Sequence, residues 1–177
     1  IFSDPDGKPS ALFYSHVAGL QKYLPGAMAL FAPNVNSYRR ITRHSSAPIN
    51  THWGHDNRTA GLRVPVAGPE NRRVENRVGG ADANSYLAIA ASLACGYLGM
   101  IEGLNPSDPI AGSAYDLPFS LPRSLEESLR LLRDCRPLID ILGERFVLAY
   151  SAVKENEHET FLRVISSWER EHLLLNV

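Results

Sequence analysis

The segment that most restricts what this chain can fold into runs from Asn84 to Glu102. Leu87, Ala90, Ala91, Ala94, Leu98 and Ile101 recur there at separations of three and four, the spacing of one helix face, and Asp82 or Asn84 is available as the cap. The run is apolar enough to require burial, so the rest of the chain has to build a surface against it. Residues 10–31 carry a second helical pattern, with Leu12, His16, Leu20 and Tyr23 on one stripe, and Pro25 is expected to divide it into two short helices. At 177 residues, 44% hydrophobic and 21% charged, the chain can bury a core as one ordinary globular domain.

Between these helical stretches the texture changes. From Ile41 to Val78 there are short β-rich runs, T-H-W, G-L-R-V-P-V and R-R-V-E-N-R-V, separated by Gly, Pro and Asn, which read as antiparallel strands or the loops beside them. Because a strand points successive side chains to opposite faces, Val74 and Asn76 face one way while Arg73, Glu75 and Arg77 face the other. Arg63 stands likewise between Leu62 and Val64. Residues 103–123 hold Pro106, Pro109, Pro118 and Pro122 and no period, so they form a connecting loop able to reach a partner or ligand. Ser124 and Glu127 make a capping box for the next helix, whose core stripe is Leu125, Leu129 and Leu132. The remainder, Pro137–Leu142 and Glu144–Leu175, reads as helices broken at Gly143, with Val164, Trp168 and His172 at fourfold spacing. The opening I-F-S-D-P-D-G-K-P reads as a strand end and a tight turn, and a first residue of Ile1 suggests that the chain enters its fold midway.

Arg39, Arg40, Arg43, Arg58, Arg63, Arg72, Arg73 and Arg77 fall in one stretch with no lysine among them. So many guanidinium groups repel one another unless anions sit between them, and their planar forks suit phosphate and carboxylate oxygens. The alternative is a surface strand laced with salt bridges, for which only Asp56, Glu70 and Glu75 are nearby. Glu75, between Arg73 and Arg77, stays ionised and offers the hard oxygen that magnesium prefers; a structural Arg-Glu-Arg ladder fits the same pattern. Asp56-Asn57-Arg58 reads as a turn that presents an arginine, or merely as a turn. His16 is a helix-face residue, and His44, His52 and His55 are too irregular for a helical metal pair, so none is assigned a catalytic role.

The formal net charge of −1, and the lack of interleaved aromatics, argue against a nucleic-acid or other polyanion binder. Cys95 and Cys135 fit neither a disulfide framework nor a zinc spacing, which suggests a reducing cytoplasm. No apolar run reaches the length of a membrane span, and no leader pattern is present.

Three strings, A-P-N-V-N-S-Y-R-R, W-G-H-D-N-R-T-A-G-L-R-V-P and R-R-V-E-N-R-V-G-G-A-D-A-N-S-Y-L, in that order and spacing, resemble the second half of the glutamine synthetase family. The resemblance runs the length of the chain but is mostly helical pattern beyond Gly103. It implies an α+β fold: the C-terminal part of a catalytic domain over residues 1–177, with antiparallel strands flanked by helices, a helical C-terminal third, and an N-terminal β-grasp domain and first half of the catalytic domain lying outside the chain. It implies ATP and Mg2+ or Mn2+ as cofactors, glutamate and an amine as substrates, and a ring-shaped homo-oligomer. Matched motif by motif, Arg40 and Arg63 hold glutamate or the transferring phosphate, and Arg58 polarises the γ-phosphate. Arg73 meets the nucleotide phosphates, Glu75 is a metal ligand, and Arg77 binds the glutamate carboxylate. With one metal ligand, the 177 residues by themselves are expected to be inactive.

Two departures qualify the match. In ammonia-using members a loop shortly after the S-Y-K/R-R motif carries a glutamate that closes the site and helps deprotonate ammonium; here it reads I-T-R-H-S-S-A-P, and Ser46 stands at the corresponding position. Glu70 stands where many bacterial members have a lysine. The L-F-A-P-N-V-N-S-Y-R-R run and the missing glutamate together resemble the γ-glutamylpolyamine synthetase branch. An ammonia-using glutamine synthetase and a noncatalytic structural relative are the alternatives.

Overall fold

The computed structural model describes residues 1–43 and 45–176. Its centre is a pair of helices, α1 (Ala11–Phe31) and α2 (Ser85–Ile101). Ser10 caps α1 by accepting the Phe13 amide, and Asn84 rather than Asp82 caps α2, accepting the Tyr86 and Leu87 amides.

The expected break at Pro25 does not occur: α1 runs continuously through it. An internal proline costs a helix about 3 kcal/mol. Leu24, Met28, Leu30 and Phe31, all almost fully buried around and beyond it, each return roughly 1.5–3 kcal/mol, so packing outweighs the lost hydrogen bond. The buried surface of α1 is also wider than the sequence stripe. Phe13, Val17 and Leu24 are in the core, whereas Leu12 is exposed.

The two helices run antiparallel and meet at glycines. A β-carbon on Gly19 would lie 2.6 Å from the Gly99 nitrogen, and one on Gly99 would overlap the Ser15 carbonyl and the Gly19 Cα; only hydrogen fits at either place. The helix is buried on this side only, and Ala90 and Ile101 of the stripe read from the sequence are exposed. Ala91, Ala94, Cys95 and Leu98 enter the core, while Tyr86, Ile89, Leu93 and Tyr97 lie on an exposed outer face. That face borders an apolar groove of about 660 Å3, lined among others by Ile1, Phe2, His16 and Met100.

Three short strands pack beside the helix pair, β1 (Trp53–His55), β2 (Leu62–Val64) and β3 (Glu75–Asn76), in that order. β2 and β3 are antiparallel as expected, but β1 and β2 are parallel. Parallel neighbours ordinarily need a long crossover. Here each strand is three residues, about 10 Å, so the residues between His55 and Leu62 can bring the chain back to its starting level. Leu62 and Val64 are buried and Arg63 faces away from the core, as their alternation predicts.

The proline-rich loop is clasped to this sheet. Trp53 Nε1 donates to the Ser107 carbonyl at 2.7 Å, Ile110 N donates to the Trp53 carbonyl at 2.8 Å, and Asn50 Nδ2 donates to the Ala114 carbonyl at 2.8 Å. Helices α3 (Leu125–Asp134), α4 (Arg136–Leu142) and α5 (Glu144–Leu162) follow, broken at Gly143, where φ is +95°. Leu125, Leu129 and Leu132 are buried as expected. Ser124 caps α3, but Glu127 reaches the Arg123 amide instead of completing the box on Ser124. A second break precedes α6 (Ser167–His172), where Ser166 and Glu169 form a full capping box that the sequence reading passed over. Val164 is exposed, and Trp168 stacks on His172 with ring centres 4.8 Å apart. Among the described residues no helix is long and apolar enough to cross a membrane.

If the glycine contact sets the spacing of α1 and α2, Gly99→Ala should lower stability by at least about 3 kcal/mol, because backbone atoms on both sides leave nothing to yield. Gly112→Ala, in open space, should change it by less than about 0.5 kcal/mol. Urea unfolding of both variants checks this; equal effects would refute it.

Candidate active site

The arginines lie on β2, beside β3 and on the loops that flank these strands. The register opposes Arg63 to Glu75 across β2 and β3, which brings their side chains together. Arg63 Nη1 donates to Glu75 Oε2 at 2.9 Å, and Arg63 Nη2 donates to Asp56 Oδ1 at 2.8 Å. Glu75 therefore pairs across the sheet and not with Arg73 or Arg77 on its own strand, as the sequence pattern had suggested. The ladder is carboxylate-Arg-carboxylate. The hydrogen bonds that Arg63 donates to Glu75 first and Asp56 second raise its pKa, and its Nε is buried without a partner among the described residues.

Arg77 turns to the neighbouring loops. Its Nη1 donates to the carbonyls of Arg58 and of Ala60, the latter at 3.1 Å, and its Nη2 donates to the Ser46 carbonyl at 3.2 Å. Ser46 adopts a φ of 63°, a left-handed conformation uncommon for serine. The loop in which no carboxylate occupies the expected place is thus tied to Arg77 through its backbone.

Arg58 is exposed, and among the described residues its side chain makes no hydrogen bond or ion pair. The turn that presents it is held firmly. Asn57 Oδ1 accepts from Thr59 N at 3.0 Å and Thr59 Oγ1 at 2.7 Å, Asn57 Nδ2 donates to the Gly112 carbonyl at 2.8 Å, and Thr59 Oγ1 accepts from Ala114 N at 2.8 Å.

Arg40 ends a 3-10 turn, Val35–Arg40, and its Nη2 donates to the Val78 carbonyl at 2.5 Å. Its Nε is buried with no partner among the described residues. Burial lowers the pKa of its guanidinium while the charge of Asp82 acts in the opposite sense, and an arginine so placed keeps its charge. Arg73 is exposed and donates to the Asn71 carbonyl at 3.2 Å, turned back along its own chain. Arg63 is thus paired with Glu75, Arg77 is bonded to the backbone of Arg58, Arg40 is bonded to Val78 beside Arg77, and among the described residues Arg73 contacts none of them.

The remaining arginines have other duties. Arg72 ties down the opening turn through the Phe2 and Gly7 carbonyls, and Arg43 donates to the Leu117 carbonyl and lies over Phe119. Of the eight, Arg63 alone is ion-paired among the described residues, and five others bond mainly to neutral carbonyl oxygens. Carbonyls orient these cations without cancelling their charge, so the group can receive an anion. Glu70 bonds to Asn71 and pairs with no arginine among the described residues.

A divalent metal is not fully provided for. Glu75 has one oxygen committed to Arg63, and no cluster of three His, Cys, Asp or Glu that could hold a metal occurs among the described residues. Of the histidines judged too irregular for a metal pair, His44 lies outside the described residues; His16, the helix-face histidine, lines the apolar groove. Cys95 and Cys135 are free thiols, and burial raises the pKa of both. Sequence reasoning missed Asn57 and Thr59, whose partners lie about 55 residues away, and took Asp82 only as a possible helix cap.

Comparison with known proteins places this arrangement. Residues 1–173 match the catalytic domain of glutamine synthetase, and the chain belongs to that family. It is 40% identical over 183 residues to the γ-glutamylputrescine synthetase PuuA of Escherichia coli K12, covering 99% of this chain and 38% of that protein. It is 37% identical over 175 residues to the glutamate–isopropylamine ligase of a Pseudomonas species, covering 96% and 38% respectively. The structure of a GmaS/ADP complex superposes with a TM-score of 0.86 at 29% identity, over 98% of this chain and 42% of that one. The chain spans about two fifths of the length of these relatives.

The hold on the Arg58 turn can be measured. Asn57→Ala should speed hydrogen exchange at the Thr59 and Ala114 amides at least tenfold, equivalent to about 1.4 kcal/mol of local opening, with little change in α1. Unchanged exchange would mean that the turn is held otherwise.

Proposed function

We propose that the protein to which this chain belongs is an ATP-dependent ligase joining the γ-carboxylate of glutamate to an alkylamine or polyamine. The observation that carries the reading is the Arg58 guanidinium, exposed and bonded to no carboxylate among the described residues, on a turn whose carbonyl is gripped by Arg77. A cation so presented is suited to charge that develops on a phosphoryl group as it moves.

In the first step a γ-carboxylate oxygen of glutamate attacks the terminal phosphorus of ATP, the bond to the bridging oxygen breaks, and ADP leaves. In the second an amine nitrogen attacks the acyl carbon of γ-glutamyl phosphate and phosphate leaves. The alkylammonium loses one proton before attack and another as the amide forms. Arg58 stabilises the transferring phosphoryl oxygens. Arg40 and Arg77 hold the glutamate carboxylate or the phosphoryl group, with Arg63 contributing its remaining Nε and its charge. Arg73 meets the nucleotide phosphates. Glu75 would offer its second carboxylate oxygen to a magnesium or manganese ion, whose charge would offset that of the phosphoryl oxygens.

The choice of amine rests on Ser46. Removing a proton from ammonium needs a base, and the carbonyl that Ser46 turns toward Arg77 is no substitute for a carboxylate. A longer amine brings its own contacts to position the attacking nitrogen. A γ-glutamylputrescine synthetase of Escherichia coli, a glutamate–isopropylamine ligase of Pseudomonas and a γ-glutamylethanolamide synthetase of Streptomyces coelicolor, all similar to this chain, support this choice.

For the intact protein, glutamate-dependent phosphate release should show a kcat/KM at least about tenfold higher for ethylamine, putrescine or spermidine than for ammonium. Mass spectrometry of the products identifies the amide. A preference for ammonium, yielding glutamine, would overturn the choice of amine and leave the ligase reading standing. Arg58→Ala should lower kcat roughly 100-fold or more with a smaller effect on the glutamate KM. The 177-residue chain alone should release no phosphate above its Glu75→Ala variant; measurable release would show that it holds a more complete site.

A further inference from the structure

We infer that Asp82 is a positioning residue for Arg40, clamping the 3-10 turn that ends in Arg40 to the glycine turn that follows Arg77. Asp82 Oδ2 accepts hydrogen bonds from Ser37 Oγ and, at 3.1 Å, from Asn34 Nδ2. Ser37 Oγ also accepts the Asn34 amide at 3.0 Å, so one carboxylate holds the start of the turn whose last residue is Arg40. At the other end of that turn Arg40 donates to Val78, the residue next to Arg77. Two segments joined by bonds spanning 38 to 48 residues of sequence are therefore fastened at both ends, and each carries a candidate arginine.

Gly80 makes the fit possible. Its amide donates to the Phe31 carbonyl at 2.9 Å, which seats the turn on the end of α1. A β-carbon there would strike Asp82 Oδ1 and stand 3.3 Å from Arg40 Nη2, so the carboxylate and the guanidinium flank the same hydrogen-sized space. Asp82 is not needed to cap α2, since Asn84 does that. Burial works against its ionisation, but hydrogen bonds from Ser37 and Asn34, with a contribution from the Arg40 charge, hold its carboxyl below the usual carboxylate range. Arg40 itself has one hydrogen bond to the chain among those described and a buried, unpartnered Nε, so a long side chain is kept in place largely by what surrounds it. Ordering such a side chain on binding costs up to about 2 kcal/mol, and a clamp that orders it beforehand lowers that cost.

Only the use to which Arg40 is put rests on the ligase reading; the clamp itself can be tested without it. In the intact protein, phenylglyoxal modification of individual arginines is followed by peptide mass spectrometry. Asp82→Ala should raise the rate at Arg40 at least fivefold, and Gly80→Ala should do the same from the other side. Asp82→Asn, which keeps an oxygen for Ser37 and Asn34, should stay within threefold of the unaltered protein. Arg72, anchored elsewhere, is the reference. An unchanged rate at Arg40, or an equal rise at Arg72, would overturn the clamp. In the ligase assay Asp82→Ala should raise the glutamate KM at least tenfold with the ATP KM within twofold, and should add little in an Arg40→Ala background. Losses that multiply would show that Asp82 acts independently of Arg40 and refute its positioning role. Faster modification at Arg40 in a protein with no ligase activity toward any amine would support the clamp and overturn the ligase reading.

Discussion

The close approach of α1 and α2 at Gly19 and Gly99 sets the frame on which the rest of the structure depends. With only hydrogen between the backbones, the two helices become a stiff antiparallel pair. The end of α1 lies about 18 Å from the crossing and the start of α2 about 21 Å away, at 1.5 Å per residue. Those two ends, Phe31 and Asn84, stand at the same pole, and the glycine turn between Val78 and Asn84 is hung between them by the bond from Gly80 to Phe31. Glu75 and Arg77 lie just before that turn, and Arg40 is bonded to Val78 at its start. Spacing at the crossing is thus transmitted to the site through helices, which bend little.

The site is made by orienting cations without neutralising them. A guanidinium on a carboxylate is oriented but loses most of its reach toward an anion; one on a backbone carbonyl is oriented and keeps its charge. Arg40 and Arg77 are of the second kind, Arg63 of the first, and Arg58 of neither. The bond from Arg77 to Arg58's carbonyl also keeps the two turns that carry positive charge from separating under their mutual repulsion. The apolar groove lies elsewhere, on the outer face of α2, and contains none of these residues. Its lining is suited to packing, not to phosphate.

Several features were legible because they are local. Helix α2, the Leu125, Leu129 and Leu132 stripe, the break at Gly143 and the alternation about Arg63 all follow from periods of two or 3.6 residues, and each appears where the sequence predicted it. The motifs that carry the family resemblance were legible too. The continuity of α1 through Pro25 was not, because it depends on how much apolar surface the surrounding core happens to bury there. The parallel pairing of β1 and β2 was hidden for a related reason: strands of three residues carry too little pattern to reveal direction.

What the sequence by itself determined is the kind of chemistry available: a dense run of arginines with one central glutamate, on a chain with too little net charge for a polyanion binder. Tertiary structure alone decided which of those charges answer one another. Glu75 has arginines two residues away on either side, yet it pairs with Arg63 across the sheet, where the register brings side chains closer than strand neighbours can come. Asp82 has an asparagine-capped helix beside it, yet it serves a turn 45 residues earlier. A side chain's face is written in its neighbours along the chain; its partner depends on strand register and helix spacing, which are set by packing between segments far apart in sequence.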